Sequence, residues 1–443
     1  MYVVNKVIKE LALFLEGTSE MDSESLSEEL DRIPIIDVHS HIDPERPQAK
    51  NIGDILFYHF LQREIVSAGG DDGFFPSQAP INEKVAYYLR YVPLIENTAT
   101  YWCQRKILKD LYGFDFSDKN WEILNKKIAM AGDDPSWPEK LLVKNLNVKS
   151  CLCCTSDATE RKRETFSKYS FLLPHLESFS FGPNYLESLM AFIGAEHGAY
   201  PENLDSALES FTELIVKNIR MGIRSFGSAI DENLDIMLSE DAEVRRIYRD
   251  YVSGKELSQR ERNALSTRFL YQFLQTIEDR AVAQWYLGAA WKFGGRKGEF
   301  GYGESYVYVN HKLIPSILKV FKDFPKVKFN VMYCAEALSQ QLTIIARMLP
   351  NVTLLAFWWH NLFPTYIEKL ISERVEALPA NKWILVATDA YNCEWSYGKL
   401  SLVKKCLAKV LARKIDEGYL TVDNAISLAW RILYTNPCEI YKI

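Results

Sequence analysis

The spacing of apolar positions divides the chain into stretches of different period. Residues 1–31 show helix spacing, as in VIKELALFLEG, and end in an acidic run from Ser23 to Asp31. IPIIDVH follows, short, apolar and β-branched, and predicts the first buried strand. From about Asn51 to Asn147 the pattern turns helical, in FYHFLQREIV, VAYYLRYVPLI and ATYWCQRKILKDLYGF, with breaks at Gly69-Gly70, Pro93, Gly132 and Pro135. Strand-like runs then recur: VKSCLCC (148–154), YSFLLP (169–174), GIRSF (222–226), AQWYLG (283–288), KFNVMY (328–333), VTLLAFWW (352–359) and WILVATD (383–389). The later runs alternate with helical patterns such as HKLIPSILKVFKDF and LSQQLTIIARML.

Apolar strands alternating with helices predict parallel strands in βα units, and eight of them predict a (β/α)8 TIM barrel. A doubly wound sheet would alternate too, but the chain has no GxGxxG after a strand and no Walker loop. The expected organisation is an N-terminal helical segment (1–32), a barrel (33–50 and 148–443) and a helical insertion (51–147) between the first two strands. The 443 residues, 48% hydrophobic and 25% charged, leave either three domains or one enlarged barrel, and the strand count favours the barrel.

Charge narrows the partners. Fifty-two Lys plus Arg against 58 Asp plus Glu give a net charge of −6, with no general attraction to nucleic acid or an anionic membrane. The basic run Arg161-Lys162-Arg163 is flanked by glutamates and reads as a solvated helix face. The eight cysteines are thinly spread, with Cys151, Cys153 and Cys154 inside the apolar run SCLCCTS, so they read as free, mostly buried thiols of a reducing compartment. Lys9 and Glu10 interrupt the N-terminal apolar stretch, and no run reaches the roughly 18 residues that span a bilayer, so a cytoplasmic location without a membrane partner is expected. The aromatic-rich insertion offers a self-association surface, and a homo-oligomer is expected.

Candidate chemistry concentrates at two strand ends. In Asp37-Val38-His39-Ser40-His41, the histidines at i and i+2 project to one face at the C-terminal end of the first strand. They read as ligands of one divalent metal, against the plainer reading of two hydrogen-bonded strand-end histidines. Asp389 closes an apolar run at the last strand. Alone it reads as a helix N-cap; beside HxH it reads as a third ligand.

IPIIDVHSHIDP, Tyr58-His59 with a Gly-Gly turn after it, LCCTSDATE, FLLPH, NVMYCAEALSQQ, AFWWHN, ATDAYN and YTNPCEIY resemble, in this order from about residue 33 to 441, the uronate (glucuronate) isomerases. These form a branch of the amidohydrolase superfamily of metal-dependent (β/α)8 barrels. The resemblance implies that His39, His41 and Asp389 bind metal, that Asp389 shuttles a proton, that His59 reaches the site from the insertion, and that Trp358 and Trp359 wall the pocket. Several family positions differ: TDSR becomes Thr388-Asp389-Ala390-Tyr391, SDHG becomes Ser225-Phe226-Gly227-Ser228, QLHIGA becomes QWYLGA with Tyr286 in the histidine's place, and Phe60 stands where some relatives have tyrosine.

Two His and one carboxylate suit zinc first, with iron, manganese or cobalt as alternatives. The same ligands serve aldose–ketose isomerisation of a hexuronate, with Asp389, His59 or Tyr391 moving the proton, or hydrolysis of a lactone, amide or ester. A non-catalytic metal-binding relative is the third reading. A small-molecule uronate needs a cation for its carboxylate. Arg296 and Lys297, in the glycine-rich FGGRKGEFGYG after the fifth strand, are candidates, although that segment also reads as an ordinary surface loop. Arg224 is a second candidate or a structural ion-pair partner. His360 faces the pocket or caps the next helix. His175, His197 and His311 read as structural.

Overall fold

The computed structural model describes residues 23–443, apart from 76, 157–159, 178, 198–199 and 291–305 and the side chains of 23–24, 160–163, 196–197, 290 and 359. Eight strands form one sheet: β1 (Ile35–Ser40), β2 (Val148–Thr155), β3 (Leu172–Glu177), β4 (Ser225–Ala229), β5 (Val282–Leu287), β6 (Lys328–Tyr333), β7 (Val352–Leu355) and β8 (Trp383–Ile384). Each pairs in parallel with its sequence neighbour. β8 is short, yet the chain beyond it runs along β1 and closes the ring: Val38 N donates to Val386 O (3.3 Å), Asp389 N to His39 O (2.9 Å) and His41 N to Ala390 O (2.8 Å). The molecule is a (β/α)8 barrel.

Strand periodicity sorts the side chains into two cores. Ile36, Val38, Leu152, Val282, Tyr286, Met332, Leu355 and Ile384 fill the barrel interior, while a larger cluster packs strands against helices. The barrel floor is filled by the last helix, Asn436–Tyr441, which brings Tyr441 inside. Its hydroxyl donates to Asn330 Oδ1 (2.6 Å) and accepts from Gln284 Nε2 (2.7 Å).

Between β1 and β2 lie the helices Gly53–Leu56, His59–Ser67, Ile81–Ile95, Ala99–Tyr112 and Trp121–Asp133 and a π-helical turn, Glu139–Asn145. They dock on the long helix Cys393–Asp416. Buried Glu394 accepts from Ala49 N (3.0 Å), Tyr112 Oη (3.1 Å) and Trp137 Nε1 (2.9 Å). Gly398 permits the approach: a Cβ there would meet Cys103 O and Ile107 at 3.0 Å. No helix among the described residues is long and apolar enough to cross a membrane.

Two strands sit three residues later than their apolar runs suggest. β3 continues through Pro174 to Glu177, because β4 joins it only from Leu176 onward and Pro174 is paired on one side alone. β4 begins at Ser225 instead of Gly222. The first shift places His175 inside a barrel strand, beyond the end of the run at Pro174 that the apolar pattern gave. The second places Arg224 before the strand.

Candidate metal centre

His39 and His41 leave the C-terminal end of β1, and Asp389 stands beside them. Asp389 Oδ1 lies 3.4 Å from His39 Nε2 and 3.1 Å from His41 Nε2. The helix N-cap role falls to Asn392, whose side chain accepts from Trp395 N (3.0 Å). Asp389 adopts φ +52°, a left-handed conformation that a non-glycine residue holds only when its surroundings impose it. Buried Lys399 donates to Thr388 O (2.7 Å) and Asp389 O (3.0 Å), and Tyr58 Oη donates to Asp389 O (3.2 Å). Asp37 secures the preceding residue by accepting from Thr388 N (3.0 Å) and from its hydroxyl.

The orientation of the His39 ring follows from its neighbours. Gln284 uses Nε2 to donate to Val38 O (3.0 Å) and Tyr441 Oη (2.7 Å), which turns Oε1 toward His39 Nδ1 at 2.9 Å. Gln284 therefore fixes the ring through Nδ1 and leaves Nε2 turned toward Asp389. The donor set suits a metal, with two imidazole nitrogens and a carboxylate oxygen spaced as ligands around one small ion are.

Cys154 joins them. Its Sγ lies 3.7 Å and 4.0 Å from the two ring nitrogens of His39, and the ligand atoms of His39, His41 and Cys154 all fall within 4.8 Å of one another. All eight cysteines are free, as the sequence implied, but Cys154 is only half-buried and sits at the histidines, a placement its reading as a free, mostly buried thiol did not contain.

Burial and charge set the protonation states. Burial opposes ionisation of Asp389, yet the hydrogen bonds from His39 and His41 and the charge of Lys399 prevail and hold its carboxyl well below the usual range. Burial is the largest influence on His41 and would lower it, but the hydrogen bond to Asp389 and the charges of Asp389 and Glu177 together raise it. Burial takes His59 down to about 3 and lowers His360.

The surrounding residues divide sharply. A cavity of about 1370 Å³ opens over Asp389 and is lined by His41, His59, Glu177, Tyr286, Trp358, His360 and Tyr391 among others. His59 opens the helix His59–Ser67, and its ring lies 5.1 Å from that of Tyr391, which stacks on His41 at 5.1 Å and 16°. His360 belongs to a 3-10 turn before the helix Pro364–Ala377, whose N-cap is Phe363, so it lines the cavity without capping that helix. Trp358 packs 5.3 Å from the Tyr286 ring. The side chain of Trp359, and all of Arg296 and Lys297, lie outside the described residues.

Arg224 does not reach the cavity. It precedes β4 at the opposite end of the barrel and donates to Ile219 O (3.1 Å) and Ile223 O (3.2 Å), which removes it from the substrate-binding candidates. Among the described residues, Arg63 is the one Lys or Arg lining the main cavity, 3.1 Å from Asp72. A neighbouring chamber of about 560 Å³ shares His41, His59 and Tyr391 and adds Arg46 and Lys84.

Sequence reasoning also missed His175 and Glu177. His175 Nε2 meets Tyr286 Oη at 2.9 Å, and that hydroxyl lies 3.4 Å from His39 Nδ1. A Cβ at Gly227 would lie 2.0 Å from this hydroxyl and 2.6 Å from His175 Nε2, so the glycine leaves room for the pair. Glu177 interacts with both Cys154 and Tyr286. The signal was present as the period-two set Leu173, His175, Glu177, hidden by ending the run at Pro174.

Comparison with solved structures places this architecture. Uronate isomerase from Thermotoga maritima superposes with a TM-score of 0.81 at 17% identity, over 96% of this chain and 98% of that one. Glucuronate isomerase from Caulobacter crescentus gives 0.82 at 15% identity, over 95% and 93%. The uronate isomerase from Bacillus halodurans gives 0.73 at 16%, over 95% and 96%. The fold is shared with uronate isomerases. No protein-family model and no curated protein matches the sequence. The likeness to uronate isomerases extends through the insertion as well as the barrel, since it spans nearly the whole of each chain.

Proposed function

We propose that this chain is a metal-dependent aldose–ketose isomerase acting on a hexuronate or a related sugar acid. The observation that carries the reading is the meeting of His39 Nε2, His41 Nε2 and Asp389 Oδ1 at the base of a large cavity. The uronate isomerase fold over almost the full length supports it.

His39, His41 and Asp389 would hold one divalent ion, zinc by preference, with iron, manganese or cobalt as alternatives. When bound, such an ion supplies Lewis acidity toward the carbonyl and adjacent hydroxyl of an open-chain sugar. The chain's residues do the rest. Asp389, kept ionised, accepts the proton leaving carbon 2 of the aldose and returns it to carbon 1, while the proton of the carbon-2 hydroxyl passes to the oxygen on carbon 1 to complete the ketose. His59 is neutral at physiological pH, because burial depresses it to about 3, so it exchanges hydrogen bonds with sugar hydroxyls without adding charge. Tyr391 stands beside it as a second proton carrier. Trp358 walls the cavity, with Trp359 a further proposed wall residue, and His360 offers a polar contact. Arg63 is the described cation nearest this role for the sugar's carboxylate, with Arg296 and Lys297 as further proposed partners.

Hydrolysis of a lactone, amide or ester is the second reading. One observation favours it: Arg63, the cation of the described main cavity, is already bridged to Asp72, and Tyr391 stands where the resembling family has arginine. The test is direct. Metal-loaded protein is incubated with D-glucuronate and D-galacturonate and ketose is measured, in parallel with lactone and amide hydrolysis. Ketose formation is the expected result, and hydrolysis alone would replace the isomerase reading.

A further inference from the structure

Three cysteines stand close together on β2, but they face different ways. Cys151 donates toward Asp37 Oδ2 (3.6 Å) and Cys153 toward Cys151 O (3.6 Å), both away from the cavity and fully buried. Cys154, two residues after the interior-facing Leu152, follows the strand's alternation into the barrel mouth. It is half-buried, and its sulfur lies 4.0 Å from His39 Nε2, the nitrogen that faces Asp389.

We propose that Cys154 is a thiolate ligand of the metal held by His39, His41 and Asp389, making the site a four-donor set that selects thiophilic ions. The inference rests on the metal reading above. Nitrogen ligands sit at roughly 2.0–2.1 Å and a thiolate at roughly 2.3 Å from zinc, so tetrahedral donors stand about 3.5 Å apart. The observed 4.0 Å between sulfur and Nε2 needs to close by only about half an ångström. On binding, the S–H bond breaks, the electron pair forms the metal–sulfur bond, and the proton leaves to solvent. A soft sulfur in the set shifts preference toward zinc, cobalt(II) and ferrous iron, and away from manganese, magnesium and calcium. The placement of His175 and Glu177 fits this assignment. His175 turns its Nε2 to Tyr286 Oη at 2.9 Å, while Glu177 flanks the thiol.

The experiment uses the full chain purified without chelator and loaded in turn with zinc and cobalt(II). X-ray absorption at the zinc edge is expected to show one sulfur at about 2.3 Å beside nitrogen and oxygen ligands. The cobalt form is expected to show a near-ultraviolet sulfur-to-cobalt band. Cys154→Ser should remove both signals, retain a metal through His39, His41 and Asp389, and bind zinc about tenfold or more weakly while manganese affinity changes much less. A wild-type site that binds metal with nitrogen and oxygen scatterers alone would overturn the assignment without touching the metal reading. Failure of the wild-type chain to bind zinc or cobalt at all would overturn both. Because the wild-type spectra decide the question, a Cys154→Ser chain that fails to fold leaves the test intact.

Discussion

The two ends of the barrel both gather ionisable side chains and treat them in opposite ways. At the mouth, His39, Asp37, Asp389 and Lys399 are buried, and each is tied to a named partner within a few ångströms. At the floor, Arg224, Arg280, Lys326, Lys328 and Lys442, with Asp279, border a cavity of only about 40 Å³ next to the Tyr441 plug. Burial at the mouth moves proton affinities, lowering His59 to about 3 and raising Glu232 to about 7, whereas Arg224 at the floor remains exposed. Charge alone therefore does not mark a site; charge removed from water beside a large cavity does.

Asp389→Ala breaks the comparison most severely. It removes a proposed ligand and proton acceptor from the mouth while leaving the floor untouched, and turnover of the sugar acid should fall by about 10²–10⁴-fold with the circular dichroism spectrum unchanged. Unfolding of this variant would make the mouth structural. Lys399→Met comes next. It strips the donor from the carbonyls of Thr388 and Asp389, and thermal or urea unfolding should record a loss of about 1–3 kcal/mol. Activity should fall along with stability, because Asp389 depends on those bonds for its left-handed backbone.

Glu232 sharpens the contrast through pH. Burial outweighs the hydrogen bonds from Gly288 N and Asn310 N and raises its carboxyl to about 7 from 4.5, so the folded state binds the extra proton between those values. Its contribution to stability is present below about pH 4.5 and is lost as pH rises through about 7. Urea midpoints measured across that window should decline in the wild type and flatten in Glu232→Gln. Arg224→Ala, at the floor, is expected to change least, within about 0.5 kcal/mol in unfolding and without effect on turnover. A large activity loss there would bring the floor back into the site.

The barrel was legible because its strands are apolar and β-branched where it matters most. Ile35, Ile36 and Val38 announce β1, and WILVATD carries the chain to Asp389. HxH and Asp389 could be matched across almost the whole sequence because each ends such a run. The weaker strands show why the rest was hidden. β4 reads SFGSA, small and polar, so the preceding Ile223 attracted the strand assignment and drew Arg224 in with it. β3 crosses Pro174, which normally stops a strand, and this concealed His175 and Glu177. Cys154 was obscured differently: in an apolar run, alternation indicates a face, but only the closed ring reveals that this face meets His39. Likewise the Gly227 gap and the Tyr286–His175 pair depend on contacts between strands, which no local pattern contains.

The central claim is that the mouth is a metal-dependent isomerase centre. It is tested most directly by following D-glucuronate or D-galacturonate in parallel with bound metal, for the wild type and for His39→Ala, both purified without chelator. Close to one divalent ion per wild-type chain, conversion to the ketose, and loss of both in a folded His39→Ala chain are predicted. A wild-type chain with only trace metal, or one that is fully loaded yet forms no ketose from either sugar acid, would contradict the account.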